Sequence, residues 1–238
     1  MRGRVVRNAI DHGVNFYDSS PMYGSAERVL GIALGSSRPR VSVATKVWTS
    51  SEADGRRQIG EALTFYGGFV DLYQVHNLVA WRTHLPVLHA LRDEGRIGAV
   101  GITDFRHSSF GEIARLMETE DIQTIQIPYN AANRDAEREL LPLASARDIG
   151  VITMSPLGTG RLISPEPPLD ELRRFHDFGV RTWAQVLLKW IVSDSRVGVT
   201  IPATSKPERA RENAQAGQPP FFGQEERERV AWLAGRRA

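Results

Sequence analysis

Seven short apolar runs are spaced along the chain: VNFYDSS, RVSVATKV, VDLYQVH, IGAVGITD, IQTIQIPY, GVITMSP and VGVTIPA. Their length and their β-branched and aromatic content predict strands. Between them lie stretches such as residues 82–94, 136–148 and 179–194, whose apolar positions recur every three or four residues and predict amphipathic helices. Strict alternation of the two predicts a parallel sheet. Several strands, VSVATKV and IQTIQIPY among them, are apolar over most of their length, which suits a sheet covered on both faces. A closed barrel and a doubly wound sheet both meet that demand, and periodicity does not choose between them.

The order of elements narrows the choice. The chain opens on RGRVVRNAIDHG, a helix closed by Gly13 as its C-terminal cap, with no strand before it. A helix-first start followed by seven strands predicts an α/β fold of TIM type, a (β/α)8 barrel without its first strand. Residues 155–179, SPLGTGRLISPEPPLDELRRFHDFG, are rich in Pro and Gly and read as a long loop of the kind that often carries function. No repeat, low-complexity tract or linker divides the chain, so a single domain over residues 1–238 is expected.

Composition acts mainly by exclusion. At 238 residues, with 41% hydrophobic and 24% charged positions, the chain can bury one sizeable core. Thirty basic against 28 acidic residues leave a formal charge of +2, too even a balance to predict a nucleic-acid partner. The absence of cysteine removes disulfides, thiolate metal sites and cysteine nucleophiles. The first residues lack the apolar core of a signal peptide and no stretch approaches the ~20 apolar residues of a membrane span, so a cytoplasmic protein is expected. His84 and His89 are five apart, off the i, i+4 spacing of a helical zinc pair, and no metal is expected. There is no GxSxG, GxGxxG or GxxxxGK[ST]. The arginines of EERERVAWLAGRRA read as the solvated face of a C-terminal helix packed by Val230, Trp232 and Leu233.

In a parallel barrel the C-terminal ends of the strands share one mouth, so ionisable residues there are the first candidates for chemistry. Asp18 ends the first strand, Lys46 the second and His76 the third, and Tyr23 lies in the turn after Asp18. Each has a plain alternative: Asp18 as a turn cap, Tyr23 as a loop aromatic, Lys46 as a solvated amine, His76 as a hydrogen-bonded core residue. Together they make a chemical set. A buried ammonium is held charged by a carboxylate, a cation beside a phenol lowers its pKa, and a neutral imidazole can orient a carbonyl while the phenol donates a proton. Trp48, Asn77 and Trp81 follow closely enough to wall a pocket for a hydrophobic carbonyl compound, or simply to cover the rim.

With these residues in place, the chain resembles the aldo-keto reductase superfamily, through DHGVNFYDS continued by SPMYGSAE, then ATKVW, DLYQVHN, LRDEGRIGAVGITDF, QIPYN, SPLGTG and IPATSKPERARENAQA, in family order from about residue 3 to 217. The resemblance implies a carbonyl reductase in which Asp18, Tyr23, Lys46 and His76 are catalytic and hydride comes from a nicotinamide dinucleotide lying extended across the barrel mouth. It implies NADP as cofactor, with NAD as the second choice, and a small-molecule carbonyl substrate. On the family pattern, Thr103, Asp104 and Gln126 contact the nicotinamide amide. Met154 packs on its ring, and Ser155, Leu157 and Gly158 continue along the cofactor toward the pyrophosphate. Thr204, Arg209, Glu212 and Asn213 form the adenosine-phosphate site, with Arg209 reading the 2'-phosphate through its planar fork and Lys206 assisting.

Departures are equally specific. Ala203 stands where the family often has lysine, Met154 where many members stack an aromatic ring, and Asp104 where asparagine is frequent. The family's N-terminal hairpin, first barrel strand and cofactor loop have no counterpart here. Two rivals remain: a barrel enzyme using Lys46 as a Schiff base, and a cofactor-binding sensor or subunit without turnover.

Overall fold

Phe16–Asp18 (β1), Ser42–Val47 (β2), Val70–Val75 (β3), Ile97–Thr103 (β4), Thr124–Pro128 (β5), Gly150–Met154 (β6) and Val199–Thr200 (β7) form one parallel sheet whose spatial order is their chain order. The computed structural model describes residues 2–236, so Arg237, at the end of the C-terminal arginine segment, lies outside the described residues. The sheet curls into a nearly closed barrel, as the order of elements predicts. The helices are Arg2–Asp11 (α1), Ala26–Leu34 (α2), Glu52–Phe65 (α3), Trp81–Asp93 (α4), Phe110–Thr119 (α5), Leu140–Ala146 (α6), Leu169–Arg173 (α7), Trp183–Val192 (α8), Pro207–Ala216 (α9) and Gln224–Gly235 (α10). Among the described residues no helix is long and apolar enough to cross a membrane.

Two apolar layers explain the strands' double-sided hydrophobicity. Val43, Tyr73, Val75, Val100, Ile102, Ile125, Ile127 and Val151 belong to the large core that also takes in the helices. The alternate positions Phe16, Ala44, Leu72, Ala99, Ile152, Val199 and Ile201 make a separate small cluster, the barrel interior. Because side chains alternate along a strand, the residue two places beyond each floor residue projects into the next layer up. Asp18 follows Phe16 in this way, Lys46 follows Ala44 and Gln74 follows Leu72. Register puts Lys46 level with Gln74 and Gln74 level with Gly101.

The strands at the two ends of the sheet are short, three residues in β1 and two in β7, and among the described residues no ladder joins them. Between them lies a cavity of about 840 Å³, lined by residues of α1, β7 and α9 and reaching Asp18 and Tyr23 at its upper end. Residues 155–179 differ from the expected loop: they hold a 3₁₀ turn over Gly158–Ile163 and the short α7. Asp170 and Glu171 in the first turn of α7 suit its positive end, and Arg229 of α10 clamps Glu171. On α10, Val230 and Leu233 are buried as expected, whereas Trp232 is half-exposed and stacked between Arg229 and Arg236. The two histidines of α4 bond backbone carbonyls, His84 that of Thr49 and His89 that of Asp121.

Candidate active site

The chemistry assembles in the layer above the barrel floor. Lys46 is fully buried, and its ammonium donates to Asp18 Oδ1 (2.7 Å), Asp18 Oδ2 (2.6 Å) and the Ser19 carbonyl (2.9 Å). Three acceptors saturate its three protons. Gln74 adds a longer contact, Nε2 to Asp18 Oδ1 at 3.4 Å. Gly101 leaves room for this cluster: a Cβ there would stand 3.2 Å from Gln74 Cγ and 2.2 Å from Thr124 Oγ1. Burial pushes the Asp18 carboxyl up and the Lys46 ammonium down, each toward its neutral form, and their mutual attraction opposes both movements.

Tyr23 ends a 3₁₀ turn, Pro21–Tyr23, immediately beyond β1. It is half-exposed, its ring centroid is 5.7 Å from Lys46 Nζ, and its hydroxyl has no hydrogen-bond partner among the described residues. The phenol pKa is raised, first by burial and then by the negative charge of Asp18. This corrects the expectation that Lys46 lowers it. The ammonium is so closely paired with Asp18 that the phenol meets a compensated ion pair, and desolvation wins.

His76 is buried at the end of β3, its ring edge-on to Tyr23 at 5.9 Å and tilted against Trp48 at 6.5 Å. Its Nδ1 lies 2.8 Å from Ser20 Oγ. Burial, and then the Lys46 charge, lower its pKa to about 4, so the imidazole is neutral at pH 7. Directly after it the backbone doubles back through three left-handed non-glycine residues, Asn77 (φ 52°), Leu78 (φ 54°) and Ala80 (φ 47°). Strain of this kind persists only where surrounding structure enforces it, and it gathers at functional sites.

The remaining candidates divide. Trp48 reaches the mouth, held by Gln58, which bonds both its backbone N–H (2.9 Å) and its carbonyl (3.1 Å). Trp81 is turned to the arginines of its helical neighbourhood, Arg82 at 4.2 Å and Arg115 at 5.4 Å from its ring. Thr103, the last residue of β4, pairs in register with Gln126 in the middle of β5; both are buried, and among the described residues Thr103 Oγ1 and Gln126 Oε1 have no partner. Asp104 is buried too, but accepts from Arg106 Nε (3.0 Å), Arg106 Nη2 (2.6 Å), the Arg106 amide (2.9 Å) and Ser109 Oγ (3.0 Å). Burial alone would raise its pKa, and these bonds hold it below the usual range. Asp104 is therefore committed to its own loop.

Met154 ends β6, and Ser155 (φ 53°) begins a turn whose carbonyl accepts from Asn130 Nδ2 (3.1 Å) and the Gly158 amide (3.0 Å). Leu157 and Gly158 follow in the same turn. Thr204 Oγ1 accepts from the Lys206 amide just before α9 (3.1 Å), and Lys206 and Arg209 are exposed with no ion-pair partner among the described residues. Glu212 and Asn213 are half-buried on α9, and the Glu212 carbonyl accepts from Gln185 (3.0 Å). Thr204 and Asn213 line the same seam cavity as Asp18 and Tyr23, so these four are joined by one space. Sequence reasoning missed Gln74 and Ser20. A polar residue two places before His76 on an otherwise apolar strand was the available signal for the first, and a serine directly ahead of the PMYG turn for the second.

A parallel barrel with this mouth belongs to a known class. The sequence pattern described as the Aldo/keto reductase family matches residues 2–230, and the chain belongs to that family. It is 27% identical over 222 residues to the methylglyoxal reductase YeaE of Escherichia coli (strain K12), spanning 88% of this chain and 76% of that protein. An aldo/keto reductase from Klebsiella pneumoniae, crystallised with NADP and acetate, superposes with a TM-score of 0.82 at 26% identity, covering 98% of this chain and 85% of that one. A Klebsiella pneumoniae aldo-keto reductase in complex with NADPH gives a TM-score of 0.80 at 25% identity, covering 98% and 84%.

Proposed function

We propose that the chain, acting as one domain, is an NADPH-preferring reductase of small aldehydes or ketones. The observation that carries this reading is the meeting of Tyr23, with its free hydroxyl, and neutral His76 beside the buried Asp18–Lys46 pair at a single barrel mouth. The relatives support the chemistry: one is a methylglyoxal reductase and another was crystallised with NADP and acetate.

The residues present fit a nicotinamide dinucleotide. Gln126 Oε1 and Thr103 Oγ1 are buried polar atoms without partners among the described residues, suited to a carboxamide that both donates and accepts. Arg209 and Lys206 are exposed cations without an ion-pair partner among the described residues, suited to a 2'-phosphate. When bound, the cofactor supplies the hydride. The protein's share is to hold the carbonyl and deliver a proton. His76 donates a hydrogen bond to the carbonyl oxygen and Tyr23 protonates it. The raised phenol pKa keeps Tyr23 protonated at neutral pH, which suits reduction better than the reverse reaction. Asp18 neutralises Lys46, so the pair presents a fixed dipole and not a bare charge. Trp48 covers one side of the substrate.

Fluorescence titration with NADPH and NADH, followed by turnover with methylglyoxal and other short aldehydes, tests the reading. Arg209→Ala is expected to weaken NADPH binding about tenfold or more while leaving NADH almost unchanged. Equal shifts for both cofactors would remove Arg209 from the 2'-phosphate. Tight NADPH binding with no turnover on any aldehyde would favour a cofactor-binding subunit instead.

A further inference from the structure

We propose that Ser20 is a positioning residue that fixes His76 as the Nε2–H tautomer and locks the Tyr23 turn to it; the role deepens the reading above and rests on it for its catalytic meaning.

Proton economy decides the tautomer. Ser20 is completely buried and precedes the 3₁₀ turn as its cap, with Oγ accepting the Met22 amide proton at 3.1 Å. The same Oγ stands 2.8 Å from His76 Nδ1. A hydroxyl has one proton to give, and among the described residues Nδ1 is its only acceptor. Were Nδ1 protonated, Ser20 Oγ would receive two donors and its own proton would be buried without a partner. The favoured arrangement therefore has Ser20 donating to bare Nδ1. The imidazole proton then sits on Nε2, which has no protein partner among the described residues and is free to donate to a carbonyl oxygen.

The charges around the ring agree with a neutral imidazole. Burial first and then Lys46 from β2 disfavour its protonation, and together they outweigh Asp104 beyond β4, which favours it. One hydroxyl thus serves two elements. It caps the turn that presents Tyr23 and it orients the ring standing edge-on to Tyr23 at 5.9 Å. Proton donor and carbonyl-orienting group are set relative to each other through a single oxygen.

The test is a long-range ¹H–¹⁵N correlation spectrum of His76 in the ligand-free protein at pH 7. The wild type is expected to show a protonated Nε2 and a bare, hydrogen-bonded Nδ1. Ser20→Ala should move both ring nitrogens toward the averaged shifts of mixed tautomers and lower kcat roughly tenfold, the worth of one orienting hydrogen bond. NADPH affinity should not change. Ser20→Thr, which keeps the hydroxyl, should restore the wild-type pattern. A protonated Nδ1 in the wild type, or unchanged ring shifts in Ser20→Ala, overturns the proposal. The wild-type spectrum decides the matter even if the alanine variant fails to fold. Because the spectrum is read without substrate, a protein with the expected tautomer but no turnover would refute the reductase reading and leave the tautomer assignment standing.

Discussion

Two tyrosines stand just past strand ends and are treated in opposite ways. Tyr129, after β5, is fully buried; its hydroxyl donates to Glu137 (2.7 Å), lies 3.2 Å from Asp194 and accepts from Arg227 (2.9 Å), while its ring packs 5.1 Å from Trp190. Tyr23, in the turn after β1, is half-exposed and its hydroxyl bonds nothing among the described residues. Both pKa values are raised, with burial as the largest cause, so titration does not separate them. Partnership does. A phenol saturated by protein groups ties α8 and α10 to the sheet, whereas an unpaired phenol beside a neutral imidazole has its proton available for something the protein does not contain.

The widest separation should come from a crossed pair of substitutions. Tyr23→Phe is expected to lower kcat by about 10²–10⁴, the range for loss of a general acid, with unfolding stability unchanged. Tyr129→Phe is expected to leave turnover in place and to lower stability by about 1–3 kcal/mol, because Glu137 and Arg227 lose a buried partner. Turnover and urea melts on both variants decide this. Loss of activity in the Tyr129 variant, or full activity in the Tyr23 variant, breaks the contrast.

Next in size is the pair that underlies the mouth. Lys46→Met leaves Asp18 buried with only the amides of Gln74 and Gln126 to answer its charge, and a stability loss of about 3–5 kcal/mol is expected at pH 7. The loss should shrink as the pH falls, because an unpaired buried carboxylate has a raised pKa and can be protonated. Adding Asp18→Asn should recover part of the stability, a coupling visible in a double-mutant cycle. Additive losses would show that the two side chains are not a unit.

Much of this was legible in the chain, and the residues that were not share a cause. The two-residue alternation of a strand tells which side chains face inward, and strand ends locate the mouth, so Asp18, Lys46 and His76 could be found from the chain alone. Which inward residues lie level with one another depends on register between strands, which sequence spacing does not contain. Gln74 sits level with Lys46 only because Ala44 pairs with Leu72. Asp104 was expected to face the cofactor, and the structure ties it to Arg106, two residues on, by a side-chain clamp that competes with any outward role. Distance along the chain lets Trp81 either wall a pocket or cover the rim. It opens α4, where Arg82 beside it and Arg115 of α5 stack on its ring. Short-range polar chemistry and helix orientation, not hydrophobic pattern, decided both.

The smallest effect is a pH dependence that again separates the two tyrosine environments. His76, edge-on to Tyr23, has its pKa lowered from 6.5 to about 4 by burial and the Lys46 charge. As pH falls below 6.5 the unfolded chain binds a proton at this residue and the folded protein does not until about pH 4, so stability drops across that window. At pH 5 the deficit is about 2 kcal/mol, and above pH 7 it vanishes. Around Tyr129 the acid behaves differently. Although burial opposes it, the Arg196 fork and the Arg227 charge hold the Asp194 carboxyl well below the usual range, so its charge survives at pH 5. Mild acid should therefore weigh on the mouth and spare the strut behind the sheet. Urea melts at pH 7 and pH 5 on the wild type and on His76→Gln check this: the variant should lose about 2 kcal/mol of the wild type's acid sensitivity. If both proteins lose stability equally between those pH values, His76 takes up its proton as readily in the folded state as in the unfolded one, and the ring is not the dry, neutral group that its surroundings imply.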